Sequence, residues 1–472
     1  MPSYRREGPV VSSDTFTRLA DFVLRRPSSV FPTAVLEQAH YLLLDTLGIA
    51  IAAGPMEAGR IARDTAVLLY GSNDPQYSAR MLFDGRRASI AGAAYAVATQ
   101  TDNLDGHDGY SPTKGHIGVA VVPALAALAE ARPDLTGPEA LASLVVGYEV
   151  AGRAGIALHA TVSDYHTSGA WNALGVAALA ARLRRLGETQ LREALGIAEY
   201  HGPRSQMMRE IATPTMLHDG SGLGALVGLS AAVLAERGFT GAPAMTVEAP
   251  EVATHWQDLG VFWQSLHQYV KPYPICRWAH AAIDAVRGLC LARNLGASDI
   301  AHIQVNSFHY AATLFDGMPD TTSKAQYSLR FAVATFIIHR RIGLEHISGA
   351  GLADPAVADM LTRITVTETE RHSARFPAGR WADVVITTND GRVLMSGDVH
   401  ARGGPEAPMT RQDVEAKYME FAAPVLGSGR AAAIRDAVLS LGDRDSRFSD
   451  LSALLYDPPK NFELSPQCPS GS

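Results

Sequence analysis

The chain has 472 residues, 47% hydrophobic and 19% charged, against roughly a quarter charged in an average soluble domain, so it can bury a large interior or a subunit interface and is no peptide hormone or disulfide-stapled mini-domain. Its 41 Lys and Arg against 48 Asp and Glu give a net charge of −7, the reverse of a phosphate-binding footprint, and nucleic acid is not an expected partner. Three cysteines, Cys276, Cys290 and Cys468, form no C-x-x-C pair and point to a reducing compartment.

The first nine residues lack the apolar stretch of a signal peptide, and the apolar run 41–53 is short and interrupted by Asp45, so a cytoplasmic protein with no membrane partner is expected. Ala- and Leu-rich helical runs follow one another at 33–53, 88–99, 119–131, 137–159, 168–186 and 222–237. Small residues at spacings of four, as in Gly92/Ala96 and Gly147/Ala151, let such helices approach closely. After Lys271 the texture changes. Alternating segments begin at Ile303 and Ile364, and a hairpin is predicted around the Asn389-Asp-Gly391 turn, interleaved with helices at 281–292 and 325–340. Helical periodicity returns at 411–421 and 430–441, before a Pro/Ser-rich tail from Pro458 that is expected to fray. The predicted fold is mainly α: a large helical domain from both chain ends, 1–268 and 406–472, with a smaller α+β domain, 269–405, inserted between them.

Three clusters carry chemistry. The loop from Thr101 to His116 places Asp102, Asp105, His107, Asp108, Lys114 and His116 between two apolar helices. It reads as an acidic surface connector, as a metal site built from Asp102, Asp105, His107 and Asp108, or as part of an active site, although the spacing fits neither an EF-hand nor a zinc helix. His166 stands just ahead of a helix start with Thr167 or Ser168 as N-cap, where the helix dipole favours a neutral, proton-accepting imidazole. The third cluster, Tyr269 to His280, fixes the backbone beside Lys271 with two prolines and is predicted to place Cys276, Arg277 and His280 in the first turns of a helix, Cys276 and His280 on one face. Gly220-x-Gly222-x-x-Ala225 matches a dinucleotide fingerprint but lacks the strand before it, and P-loop, H-E-x-x-H and G-x-S-x-G motifs are absent from the sequence.

Taken in order, these pieces resemble the MmgE/PrpD family. The resemblance rests on Leu44-Asp-Thr-Leu-Gly-Ile-Ala, Asp102-x-x-Asp105 closing on His116, the helix beginning Pro123-Ala-Leu, Gly147-Tyr-Glu-Val, Tyr165-His-x-Ser-Gly, Leu217-His218 and Lys271-Pro-Tyr-Pro-x-Cys. It implies a homodimer with a cofactor-free, metal-free site in an interdomain cleft, and it carries active-site roles onto Asp102, His116, His166 and Lys271. The family's activities include dehydration of 2-methylcitrate, decarboxylation of cis-aconitate and epimerisation of iminodisuccinate. Against the decarboxylase pattern, Thr215 replaces a lysine, Cys276 a histidine and Phe331 a tyrosine.

The chemistry common to these activities is removal of a proton next to a carboxylate. His116 is expected to exchange protons with the substrate together with His166 or His280, Lys271 and Arg277 to hold its carboxylate, and Asp102 to orient a histidine. Thr215, His218 and Cys276 are expected to complete the binding site. The expected reaction is epimerisation of an iminodisuccinate-type dicarboxylate, with 2-methylcitrate-like dehydration as the alternative and a non-catalytic helical binding protein as a third reading.

Overall fold

A computed structural model of the chain describes residues 13–459; Cys468 and the tail beyond Pro459 lie outside the described residues. The fold is mostly helical. In the first half, α1 (Thr33–Ala53), α2 (Ile90–Asp102), α3 (Gly118–Ala129), α4 (Gly137–Thr161), α5 (Gly169–Leu183) and α6 (Ser221–Glu236) pack on one another. Helix α3 is buried along its whole length, so it is apolar all round, unlike a surface helix. Helix α4 is long and apolar enough to cross a bilayer, with a mean hydropathy of 1.4, but it is buried among the other helices. Close packing depends on the small residues seen in the sequence. A Cβ on Gly175 of α5 would stand 2.6 Å from the Gly147 carbonyl oxygen of α4, so larger residues would force these helices apart.

The second half holds α7 (His280–Arg293), β1 (Ile300–Ser307), α8 (Leu329–His339), β2 (Ile364–Glu368), β3 (Trp381–Thr388), β4 (Val393–Met395) and β5 (Val399–His400). The sheet order is β2-β1-β3-β4, with β5 also on β3; β1 and β2 run parallel and the remaining pairs antiparallel. The predicted hairpin forms as β3 and β4, turning at Gly391 with φ +84°. The predicted helix 325–340 is broken: Thr322–Gln326 is a separate short helix, and the Ser328 side chain caps α8 by accepting the Phe331 N–H at 3.3 Å. That break sets Tyr327 apart from both helices. Cys276 is extended, not helical, because its N–H donates to the Gln326 carbonyl at 2.9 Å and α7 begins only at His280.

Two hydrophobic clusters result. One is built from the first helices together with Tyr418, Ala422, Ile434 and Phe448 near the end of the chain; the other is built chiefly from residues 273–401 and reaches Ile49, Ala52, Leu104 and Met207. The last long helices, α9 (Arg411–Leu426) and α10 (Ser428–Leu439), return to α1. At that contact the Lys417 ammonium ion-pairs with Asp45 inside the protein and donates to the Gly106 carbonyl at 2.7 Å. The pair joins the two ends of the chain to the loop after α2. Replacing Lys417 by Met would leave Asp45 buried without its cation and should lower the unfolding free energy by about 3–5 kcal/mol in denaturant titration. A loss below about 1 kcal/mol would contradict this role.

Candidate active site

The loop between α2 and α3 is drawn inward by polar contacts. Asp102, in the last turn of α2, accepts the Ser221 N–H at the start of α6, 3.1 Å away. Asp105 follows in the left-handed region with φ +51°, an unfavourable conformation for a residue with a side chain, which turns its carboxylate onto the Lys271 ammonium. Lys271 also donates to the Asp105 carbonyl at 3.0 Å. Asp108 accepts the Thr46 hydroxyl of α1 at 3.2 Å and lies against the N-terminus of α3, where Gly118 leaves room that a Cβ would fill. Thus both polar residues of the Leu44-Asp-Thr segment serve this loop. His107 Nε2 lies 3.5 Å from Asp102, but among the described residues the four would-be ligands are not gathered into one metal-binding group.

A short antiparallel ladder, Gly109 opposite Tyr269 and Tyr110 opposite Gln268, brings the loop to the segment carrying Lys271. Between them lies a cavity of about 30 Å³. His116, Asp105, Lys114 and Asp219 line it from the first half of the chain; Lys271, Cys276, Arg277, Tyr327 and Arg380 line it from the second, with Tyr165 and Tyr269 completing the wall. The His116 Nδ1 lies 2.7 Å from the Asp108 carbonyl oxygen, which requires a proton on Nδ1 and leaves Nε2 as the acceptor. Nε2 is 3.8 Å from both Asp105 and Asp219. The His116 N–H donates to the Ser168 hydroxyl at 3.0 Å, and that hydroxyl donates to Asp219 at 2.6 Å, instead of capping its own helix.

Burial, reinforced by the Lys271 charge, holds the His116 pKa well below the ordinary histidine range, so the ring is neutral at physiological pH. Burial opposes the Lys271 charge, but Asp105 and Tyr269 outweigh it and keep the ammonium protonated. Burial and the nearby Asp102 push the Asp219 carboxyl up to about 6. Burial and Asp105 push the Cys276 thiol up to about 12, so it is a protonated group and not a thiolate nucleophile. The site therefore combines a neutral base, a fixed cation and a reservoir of protons.

A larger cleft of about 1030 Å³ lies next to this cavity. The short helix Met207–Ala212 separates the two: Met207 and Ile211 line the small cavity, and Arg209 and Glu210 the large cleft.

Residues 17–256 match the family model of the MmgE/PrpD N-terminal domain, and residues 273–443 that of the MmgE/PrpD C-terminal domain. The chain belongs to the MmgE/PrpD family. It is 25% identical over 477 residues to cis-aconitate decarboxylase of Aspergillus terreus, covering 91% of this chain and 93% of that protein. It is also 25% identical over 466 residues to cis-aconitate decarboxylase of Homo sapiens, covering 92% and 93%. The cis-aconitate decarboxylase-like protein oryM of Aspergillus oryzae is 24% identical over 483 residues, covering 93% and 96%.

In this MmgE/PrpD protein, the small cavity brings together His116, Lys271, Cys276 and Arg277 of the sequence-derived residues. Asp102, Thr215 and His218 line the larger cleft. Thr215 is tied to Glu210, its N–H and hydroxyl on the two carboxylate oxygens at 3.0 and 3.2 Å. His166 is not part of either cavity: its ring stacks on His159, whose Nε2 accepts the His166 N–H at 3.2 Å. Its neighbour Tyr165 faces inward instead. His280 also stays away, with Nε2 3.1 Å from the Ile275 carbonyl and its ring edge-on to Tyr273 in the second hydrophobic cluster. Because Cys276 is extended, it does not share a helix face with His280.

Sequence reasoning missed Asp105 as more than a metal ligand, and it missed Asp219, Tyr165, Tyr269, Tyr327 and Arg380. Proximity to His116, His166, His218 and Lys271 could have suggested the first four. Nothing local marks Tyr327 or Arg380. Phe331, expected at a position of functional consequence, is buried in the second cluster, while Tyr327, four residues earlier, supplies a phenol to the cavity.

His107 lies edge-on to His116 with ring centroids 4.6 Å apart, and burial pushes its pKa down to about 4. The unfolded chain takes up a proton near pH 6.5 that the folded site refuses until about pH 4, so this group's contribution to stability rises with pH across that window. His107→Gln should remove about 3 kcal/mol of pH dependence between pH 3 and 7, read as a flatter curve of unfolding free energy against pH. An unchanged slope would contradict it.

Proposed function

We propose that the protein abstracts a proton next to a carboxylate of a small dicarboxylate, without an organic cofactor, and epimerises an iminodisuccinate-type acid. The observation that carries this reading is the charge of the small cavity. Among the residues that line it, Lys114, Lys271, Arg277 and Arg380 outnumber the carboxylates Asp105 and Asp219 by two beside a neutral His116, while Glu406 and Asp284 act on the arginines from outside the lining. A dianion matches that excess, whereas a trianion exceeds it.

In this mechanism His116 Nε2 takes the proton. Lys271, held by Asp105, stabilises the enediolate as negative charge moves onto the carboxylate, and Arg277 adds only its charge from the wall. Cys276 returns a proton from its S–H to the opposite face of the carbon, and His116 gives up its own proton to solvent as the thiolate is reprotonated. The two groups stand on walls contributed by different halves of the chain, which suits proton transfer to opposite faces. Cys276 takes the second role expected of His166 or His280, since neither reaches the cavity. Its position, where the decarboxylase pattern has histidine, favours altered proton chemistry.

A lyase acting on a tricarboxylate is the second reading. It is favoured by the decarboxylases named among the relatives, and the phenol of Tyr327 weakens the argument from Phe331 against it. Dehydration of a 2-methylcitrate-like acid belongs to the same reading, since it begins with the same proton abstraction.

Incubation with candidate di- and tricarboxylates in deuterated water tests both. Solvent deuterium should enter next to the carboxylate with inverted configuration and no loss of mass. Alkene formation or release of CO₂ would assign the lyase, and no exchange with any acid would favour the non-catalytic reading. His116→Gln and Lys271→Met should each lower turnover by ~10²-fold or more, and His166→Ala by no more than about threefold. Near-normal turnover in His116→Gln would remove it as the base.

A further inference from the structure

Among the described residues, buried arginines follow a rule with two exceptions. Arg63 pairs with Asp84, Arg153 with Glu149 and Asp258, and Arg182 with Glu139. Arg277 and Arg380, 6% and 4% exposed, have no carboxylate within ion-pair distance among the described residues, and both line the small cavity. Glu406 is close enough to influence both guanidinium groups but hydrogen-bonds neither. Burying a guanidinium without an ion-paired carboxylate is costly, and an arriving anion would offset that cost.

The two are not equivalent. Arg277 is spent on the protein: its two terminal nitrogens donate to the carbonyls of Ala401 and Arg402, and its guanidinium lies 4.4 Å from the centre of the Tyr269 ring. Arg380, just ahead of β3, uses one terminal nitrogen on the Pro377 carbonyl and rests over the Phe376 ring at 4.9 Å. Its Nε is buried without a partner, and its other terminal nitrogen makes no hydrogen bond among the described residues. Those two nitrogens form the fork that grips a carboxylate through two parallel hydrogen bonds.

We propose that Arg380 is a specificity-determining residue that receives the substrate carboxylate remote from Lys271, so that the site selects acids with two carboxylates. This rests on the reading of the cavity as a carboxylate site. Lys271 and Arg380 belong to different segments of the chain, Arg380 just ahead of the interior strand β3, so a diacid bridging them would span both walls of the cavity. At about 30 Å³ the cavity has room for little more than one carboxylate group, so the walls must part to admit a diacid.

Calorimetric titration of the full chain with succinate and with butanoate, which has the same carbon number and one carboxylate fewer, tests the assignment. The native protein should bind succinate more tightly than butanoate. Arg380→Gln should weaken succinate by about 10- to 100-fold and leave butanoate within twofold, erasing the preference. Arg380→Lys should keep part of it, because the charge remains while the fork is lost. Melting curves of both variants show whether they remain folded, and the preference is read as a ratio within each protein. Unchanged succinate affinity in folded Arg380→Gln, or equal weakening of both acids, would overturn the role of Arg380 while leaving the carboxylate site intact. Binding of neither acid by the native protein would overturn the carboxylate site and the proposal with it.

Discussion

The buried pair between Lys271 and Asp105 organises the active region. It ties the loop after α2 to the segment that begins the second half of the chain, and it does so where water is excluded. Asp105 adopts a strained left-handed backbone to make the contact, and the strain is offset by the charge pair and by the ladder of Gly109 and Tyr110 against Tyr269 and Gln268. A second lysine, Lys417, reaches the same loop at Gly106 from the far end of the chain while pairing with Asp45. The loop is therefore clamped by two ammonium groups contributed by distant parts of the sequence, and Lys271 is held as a fixed cation beside His116.

The chemistry follows from that clamp. Burial keeps His116 neutral, and the Asp108 carbonyl selects the tautomer with Nε2 free. Burial keeps Cys276 protonated. The same desolvation that makes the interior costly leaves a neutral imidazole, a protonated thiol and a paired ammonium at neutral pH, the states that the proposed mechanism uses. In the proposed reading, an anionic substrate balances the excess of cations that line the cavity.

Much of the fold was legible in the sequence, because small residues at helical spacing and an Asn-Asp-Gly turn between alternating strands are local signals. The MmgE/PrpD membership, His116, Lys271, Cys276 and Arg277 were legible through clustered motifs. The rest depended on the direction of individual side chains. Tyr165 and His166 are neighbours in sequence, yet the backbone turns the first toward the cavity and the second toward His159. The helical segment expected to carry Cys276 and His280 starts with a 3-10 turn at Arg277–Ala279 that runs into α7, and Cys276 stands just outside it, its N–H taken by the Gln326 carbonyl. Arg380 and Tyr327 come from segments whose local sequence has no catalytic character, and only the tertiary fold places them beside Lys271.

The central claim is that Lys271 and Asp105 act as one unit beside His116 in proton abstraction. The direct measurement is the rate of solvent-deuterium incorporation into a turned-over acid for the native chain, Asp105→Asn, Lys271→Met and the double variant. If the pair is a unit, the double variant loses no more activity than the worse single variant, because either change already destroys the same arrangement. Losses that multiply in the double variant would show two independent contributions and contradict the account.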